Sequence, residues 1–339
     1  MGEESNVIGY EREIEAISRA IEQFDPSNPR HVAIIGEPMA GKTTVAGEIM
    51  RRYGDCIHSV TLGGVMTQDA MPAFSSIQKD CILVDNCEFF ATRQIGGFKF
   101  LDDFLKCQFS STKLFITAWN SYAWRYLSAV RNIGTYYPLV VTLPAMDSST
   151  LKQVILSNYP QREIRFVENP PSEPASICTM VQRQARLPFS GREVSIPWFH
   201  LNTNAIRSQL QVGRKTVVSP EDAVFEKIRR VARGNPGVAM QIFSGCLEDN
   251  VVSFEKIPED ECELSLDITE SFVLTLIVSM KSLQYHDLSA IAGGGDVLDR
   301  ALFSLRRQGL ILEDDGVYRI SPARLNCIGN YLKKTRRVW

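Results

Sequence analysis

Gly36-Glu37-Pro38-Met39-Ala40-Gly41-Lys42-Thr43 sets two glycines, a lysine and a hydroxyl residue at the spacing G-x-x-x-x-G-K-[ST], and Thr44 follows. The chemistry that needs this pattern is phosphate binding. Glycines let the backbone curl so that its N–H groups point at phosphate oxygens, helped by the positive end of the helix that follows. Lys42 would bridge the β- and γ-phosphates, and Thr43 would hold Mg²⁺. The context agrees: the apolar run HVAIIG (31–36) reads as a strand before the loop, and 42–53 reads as a helix after it.

A second acidic site is expected at the end of a neighbouring strand. CILVD (81–85) supplies it, with Asp85 placed to hold the Mg²⁺ water shell. The next position, often a catalytic acid, is Asn86. Glu88 comes three residues after Asp85, with two readings. It polarises water if the strand end turns suitably, or it begins the next helix, where an acid suits the dipole. In KLFITAWN (113–120), Asn120 or Thr117 is placed to touch a γ-phosphate. Arg125 and Arg131 follow on a helical stretch; a cation there either reaches a neighbouring subunit's nucleotide or is a solvated surface side chain.

These residues need a frame. Apolar strands are predicted at 31–36, 56–62, 81–85, 113–117 and 138–143, with helices at 11–24, 42–53 and 97–107. Near-continuous Ile/Val/Leu runs alternating with helices predict an α/β fold, a parallel sheet of about five strands. After Pro144, Asp147-Ser148-Ser149 opens a capped helix over 147–157. VENPPSEP (167–174) reads as a loop, and 175–217 carries a helical pattern without a nameable motif. A helix over 220–232 ends at GNPG (234–237), another starts at Val238, and EKIPEDECE (255–263) reads as a linker.

The last segment has its own order. Thr269 is expected to cap a helix to Met280; helices near 286–292 and over 296–308 follow, and LILEDDGVYRI (310–320) is a hairpin around Asp315-Gly316. Helix–helix–helix–hairpin is the winged helix-turn-helix order. A final helix starts at Pro322. The expected division is a phosphate-loop core over 1–146, a helical lid with an insertion over 147–254, and a winged-helix domain over 264–339.

On these motifs the chain resembles the AAA+ / STAND class of P-loop ATPases, archaeal type. The resemblance rests on VIGYEREIE (7–15), the loop at 36–44, ILVDN (82–86) as a Walker B strand, FITAWN (115–120) as a sensor-1 strand, VTLPAMDSSTLKQVIL (141–156) at the lid and GNPG. It implies ATP/ADP and Mg²⁺ as cofactors, and Ile8, Gly9 and Tyr10 near the adenine. It also implies Pro236 by the base or ribose, Asn120 as sensor 1 and Arg233 as the second sensor. Tyr10 stands where this class usually has Arg, and Asn86 where it has an acid, which points to slow hydrolysis.

The composition sets limits. In 339 residues, 37 Lys+Arg face 39 Asp+Glu and 44% are hydrophobic, as in an ordinary globular protein and unlike a basic nucleic-acid coat. No apolar run nears the roughly 20 residues that span a bilayer. The acidic N-terminus is no secretory signal, so a cytoplasmic location with no membrane partner is expected. The eight cysteines lack any CxxC pair and read as reduced thiols. The four histidines lack ligand spacing, so the expected metal is the nucleotide-bound ion on Thr43 and Asp85 alone.

Three functions fit: a slow ATP-driven switch that controls the winged helix, an ATP-dependent DNA-binding regulator or replication-initiator-like protein, and a nucleotide-dependent protein-interaction module. The expected recognition helix offers Arg300, Arg306 and Arg307 but also Asp296 and Asp299. The wing is acidic at Glu313, Asp314 and Asp315. A basic tail carries Lys333, Lys334, Arg336 and Arg337. Mixed charge of this kind favours the switch, with weak DNA contact, and a protein partner or a homo-oligomer as the other candidate partners.

Overall fold

The computed structural model describes residues 7–167, 178–186, 193–201, 219–258 and 263–338. They fall into two compact units. One comprises Met1–Arg162, Phe225–Gly245 and Pro258–Trp339; the other comprises Glu163–Val224 and Cys246–Ile257.

In the first unit, β1 (Val32–Gly36), β2 (Ile57–Thr61), β3 (Cys81–Asp85), β4 (Leu114–Asn120) and β5 (Leu139–Thr142) form a parallel sheet in the order β2-β3-β4-β1-β5. Each matches one of the apolar runs. β1, β3 and β4 are buried at every position, as strands covered on both faces must be. Helices α1 (Glu11–Glu22), α2 (Lys42–Tyr53), α3 (Lys99–Phe109) and α4 (Ser121–Arg131) flank them. Phe74, Phe90, Phe104 and Phe115 fill one side of the sheet, with Phe90 and Phe104 stacked at 4.4 Å. β4 lies between β1 and β3, so Gly36 pairs with Asn120 and Val84 with Thr117. The carboxyl ends of all three strands therefore meet at one edge, where open α/β sheets bind ligands.

The same unit holds α5 (Ser148–Leu156) and most of α6 (Pro220–Ala232) and α7 (Pro236–Cys246). Asp147 caps α5 as expected, accepting the Thr150 N–H at 2.7 Å. The α6–α7 turn requires glycine: Gly234 has φ +75°, and a Cβ there would sit 2.5 Å from the Met146 carbonyl oxygen.

The C-terminal part consists of α8 (Ile268–Met280), β11 (Ser282–Gln284), α9 (Tyr285–Ala292), α10 (Asp296–Arg307), β12 (Ile311–Asp314), β13 (Val317–Ile320) and α11 (Leu325–Lys334). Its sheet order is β11-β13-β12, a winged-helix arrangement. The cap of α8 is Asp267 and not Thr269. Asp267 accepts the Glu270 N–H while the Glu270 carboxylate accepts the Asp267 N–H, a complete capping box. Helix α8 is apolar almost all round, and residues from Val273 to Met280 are buried because α8 packs on α9, α10 and α11 and also on α4.

The second unit corrects the helical reading of 175–217 over its described part. β7 (Cys178–Arg186) and β8 (Glu193–Leu201) form an antiparallel hairpin, Cys178 opposite Leu201 and Arg186 opposite Glu193. Val194, Ile196 and Trp198 alternate at period two, and strand pairing follows that period. β6 (Arg165–Val167), β9 (Leu247–Glu248) and β10 (Val251–Ser253) form a small sheet in the order β6-β10-β9. Residues 168–177 and 202–218, with parts of the expected loop and helical pattern, lie outside the described residues, as do 259–262 of the expected linker.

Cys56, Cys81, Cys87, Cys107 and Cys246 are thiols outside any disulfide. Cys327 is disulfide-bonded, so the expectation of reduced cysteines fails there. Among the described residues no helix is long and apolar enough to cross a membrane, and no cluster of three metal-ligating side chains occurs.

Candidate functional site

The phosphate loop is a turn between a buried strand and a helix. Met39 (φ +64°) and Gly41 (φ +91°) take left-handed backbone, which curls residues 37–41 over the start of α2. Lys42 folds back into this curl, its Nζ donating to the carbonyl oxygens of Gly36 and Glu37, both at 2.9 Å. Burial pushes its pKa down, and the Glu88 and Asp85 carboxylates work against that. Thr43 Oγ1 donates to Asp85 Oδ2 at 2.9 Å. The loop, Lys42 and Asp85 are thus brought together.

Glu88 shows how a displaced acid reaches the site. Asn86 adopts left-handed backbone (φ +62°), and Cys87–Phe90 forms a single 3₁₀ turn that folds the chain back across the strand ends. Glu88 is 1% exposed, and its Oε2 accepts the Asn120 backbone N–H at 3.1 Å. Its Oε1 is buried with no hydrogen-bond partner. Burial raises the Glu88 pKa, with Lys42 opposing. Glu88 is the second residue of a short helical turn, and it lines the same cavity as the phosphate loop.

Asn120 ends β4 and lines the cavity beside the loop, and Thr117 does not. Thr117 Oγ1 donates to the Val32 carbonyl and accepts from Trp119 Nε1, so it is consumed inside the sheet. Arg131 pairs with Asp102 and lies over the Phe98 ring, and Arg125 is exposed on α4. Arg233 donates to the Asn330 side chain on α11.

The strand that ends in Asn120 runs between the loop strand β1 and the acid-bearing strand β3, so Asn120 and Asp85 come to the same sheet edge as the curled glycine loop. The fold is a P-loop type of α/β fold, a parallel sheet in the order β2-β3-β4-β1-β5 with the glycine loop between β1 and α2. Similar solved structures include the RuvB Holliday junction branch migration motor of Thermotoga maritima, 15% identical with a TM-score of 0.43, covering 97% of this chain and 95% of that one. The ORC2 protein of Aeropyrum pernix is 13% identical, with a TM-score of 0.41 and coverage of 99% and 97%. Cdc6p of Pyrobaculum aerophilum is 10% identical, with a TM-score of 0.40 and coverage of 98% and 96%. No family model and no curated protein matches the chain.

A cavity of about 520 Å³ opens on the loop. From the core it is lined by Pro38, Met39, Gly41–Thr44, Asn86, Glu88 and Asn120, and from α7 by Gly237. Its far wall is the winged helix: Ile277, Val278 and Lys281 at the end of α8, Leu312, Arg319 and Ile320 of the wing, then Pro322 and Leu325. None of these far-wall residues was expected at the nucleotide site from the sequence. They lie about 200 positions or more from the loop, and only docking reveals them; Lys281 alone carries a local signal, a helix end at φ +64°.

The expected base-side residues support the loop. Tyr10 is 2% exposed, and its hydroxyl donates to the Ala40 carbonyl at 2.7 Å. Gly9 has φ +87°, and a Cβ there would meet the Thr150 methyl at 2.6 Å, which ties Ile8–Tyr10 to the start of α5. Pro236 begins α7, while its neighbours touch the loop: Asn235 Nδ2 donates to the Pro38 carbonyl at 2.9 Å and the Gly237 N–H to the Met39 carbonyl at 3.2 Å.

The residues fit a nucleotide with a divalent ion. The Thr43 hydroxyl and the Asp85 carboxylate are hard oxygen donors already adjacent, and Lys42 supplies a buried cation beside them. The unpartnered Glu88 oxygen adds an acceptor at the same place.

Proposed function

We propose that the chain binds ATP and ADP with Mg²⁺ at Gly36–Thr44, hydrolyses ATP slowly, and works as a switch in which nucleotide state controls the docking of the winged helix. The observation that carries this reading is the shared cavity, walled on one side by the phosphate loop and on the other by α8 and the wing. The three-part division at 146 and 254–264 is kept as the proposed functional layout. On this reading Ile8, Gly9, Tyr10 and Pro236 flank the base and ribose, and Glu37 to Ala40 supply backbone to the phosphates.

The residues divide the work. Lys42 neutralises the β- and γ-phosphate charge from within the loop. Thr43 and Asp85 would hold the Mg²⁺, which supplies charge neutralisation across the phosphates when bound. Asn86 cannot act as a base, and its side chain is spent on the Leu62 carbonyl at 3.0 Å and on Lys281 at 3.1 Å. Glu88 is then the group left to polarise water, and with Asn86 in place of an acid directly after Asp85, turnover is expected well below the roughly 10 s⁻¹ typical of enzymes.

Calorimetry with ADP and a non-hydrolysable ATP analogue tests the reading. Lys42→Ala is expected to weaken binding at least about 100-fold, roughly the loss of one charge-assisted contact to phosphate. Unchanged affinity would overturn the site. Asp85→Ala should abolish turnover, and Glu88→Gln should do the same; a wild-type rate in Glu88→Gln removes Glu88 as the base.

A further inference from the structure

Two cysteines lie side by side where β2 and β3 begin. Ile57 opens β2 opposite Cys81, the first residue of β3, and the Cys81 N–H donates to the Cys56 carbonyl at 3.2 Å. One backbone hydrogen bond thus joins the two cysteines, which keeps their Cα atoms within the roughly 7 Å that a disulfide can bridge. Their side chains meet as well, with the thiols in hydrogen-bond reach of each other. The turn that carries Cys56 is held in place around it. Lys79 Nζ donates to the Gly54 carbonyl and, at 2.9 Å, to the Ile57 carbonyl, while Cys56 Sγ donates to the Tyr53 carbonyl at 3.3 Å.

The two thiols differ in access. Cys56 is half-buried, and Cys81 is 2% exposed. Burial, and after it the Cys56 thiol, push the Cys81 pKa up to about 12, so Cys81 keeps its proton and is a poor first target for an oxidant. Cys56 is the thiol that a small oxidant meets first.

We propose that Cys56 and Cys81 are a redox pair: a peroxide oxidises Cys56, and Cys81 resolves the product into a disulfide that staples β2 to β3. In the first step the Cys56 sulfur attacks one oxygen of hydrogen peroxide and the O–O bond breaks. Cys56 becomes a sulfenic acid, and one water leaves. In the second step the Cys81 sulfur attacks the Cys56 sulfur. The S–S bond forms, the S–O bond breaks, and the departing hydroxide takes the Cys81 proton to leave as a second water. The two electrons that the thiols lose are those the peroxide gains. The pair lies at the start of β3, and Asp85 is at its other end, so this inference does not depend on the nucleotide site.

Two other thiols serve as internal references. Cys107 is half-buried like Cys56, with its pKa raised by burial alone, and Cys87 is buried like Cys81. Peroxide would reach each of them singly, without a resolving partner.

Peptide mapping reads the pair directly. The folded full chain is titrated with hydrogen peroxide, digested without reduction and analysed by mass spectrometry at the dose that oxidises half of Cys107. The Cys327 disulfide, present before treatment, is the background. The expected product is a Cys56–Cys81 cross-link that dithiothreitol opens, with the two thiols lost one for one while Cys87 remains a thiol. In Cys81→Ala, treated in the presence of dimedone, Cys56 should carry the sulfenic-acid adduct instead. Wild-type Cys56 that ends as sulfinic acid beside an intact Cys81 thiol overturns the proposal without the variant. Cys56 left unoxidised at that dose, or cross-linked to any other cysteine, overturns it too.

Discussion

His31 sits at the base of β4, 7% exposed, with its Nδ1 accepting the Phe115 N–H at 3.3 Å and its ring edge-on to Phe115. Burial pushes its pKa down to about 4, so the folded chain keeps the imidazole neutral where the unfolded chain protonates it. A depressed histidine pKa means stability that is complete above the unfolded value near 6.5 and lost as pH falls from there towards 4. Denaturant titrations at pH 7 and pH 4.5 should differ by up to about 3 kcal/mol more in the wild type than in His31→Gln. An equal pH difference in both would assign the acid sensitivity elsewhere. Glu88 has the opposite shift: raised above the ordinary carboxylate range, it gives an ATPase rate that climbs with pH as the carboxyl ionises. A flat profile through the weakly acid range would count against Glu88 as the base.

Among the elements, the starts of α7 and α8 are the sensitive points. Gly237 opens α7 against the loop, and a Cβ there would lie 2.6 Å from both the Met39 carbonyl oxygen and the Met39 Cβ. Gly237→Ala must push α7 off the loop and break the Gly237-to-Met39 hydrogen bond. Nucleotide affinity should fall by about tenfold, the equivalent of one neutral hydrogen bond, with little change in the melting of the sheet. At α8, Asp267→Ala removes one half of the capping box and should cost about 0.5–2 kcal/mol by denaturant titration. Thr269→Ala, inside the first turn, should cost only a few tenths of a kcal/mol, for it is no cap. The sequence held both the capping box and the helix it starts, but three polar residues close together, Asp267, Thr269 and Glu270, leave the boundary open until the backbone angles choose one.

For the molecule as a whole, the open question is whether the winged helix reads DNA. Much of its charge is already spent internally. Arg306 pairs with Glu313, Arg319 lies 3.9 Å from Asp314, and Asp299 accepts from the Tyr285 hydroxyl. Leu312, Arg319 and Ile320 of the wing face the phosphate-loop cavity. The outward face of α10 keeps Val297, Arg300, Phe303 and Arg307, with Phe303 67% exposed, a face too apolar for a row of phosphates. Duplex binding is therefore expected to be weak and to vanish near physiological salt. On the tail, Lys334→Ser and Arg336→Ser should each lower the salt slope by about 0.9, the share of one neutralised phosphate. Sequence-specific nanomolar binding that survives those substitutions would make DNA recognition the main function.

The sequence alone determined what is local. Gly36–Thr43 needs only its own spacing to curl over the start of α2, apolar runs of four to six residues need only their composition to be buried strands, and Asp147 needs only the next three residues to cap α5. Asp85 was legible because it ends such a run. What the tertiary structure decided is everything that depends on two distant segments meeting. The register of β4 against β1 turned the Thr117 hydroxyl into the sheet and set Asn120 at its edge. Glu88 was brought to the loop by one left-handed residue, Asn86, whose conformation no periodicity encodes. The far wall of the cavity, and the Asn120 bond to Val278 across 158 positions, came from the docking of α8. An apolar helix announces that both its faces are covered, but composition is symmetric about its axis and does not say by what.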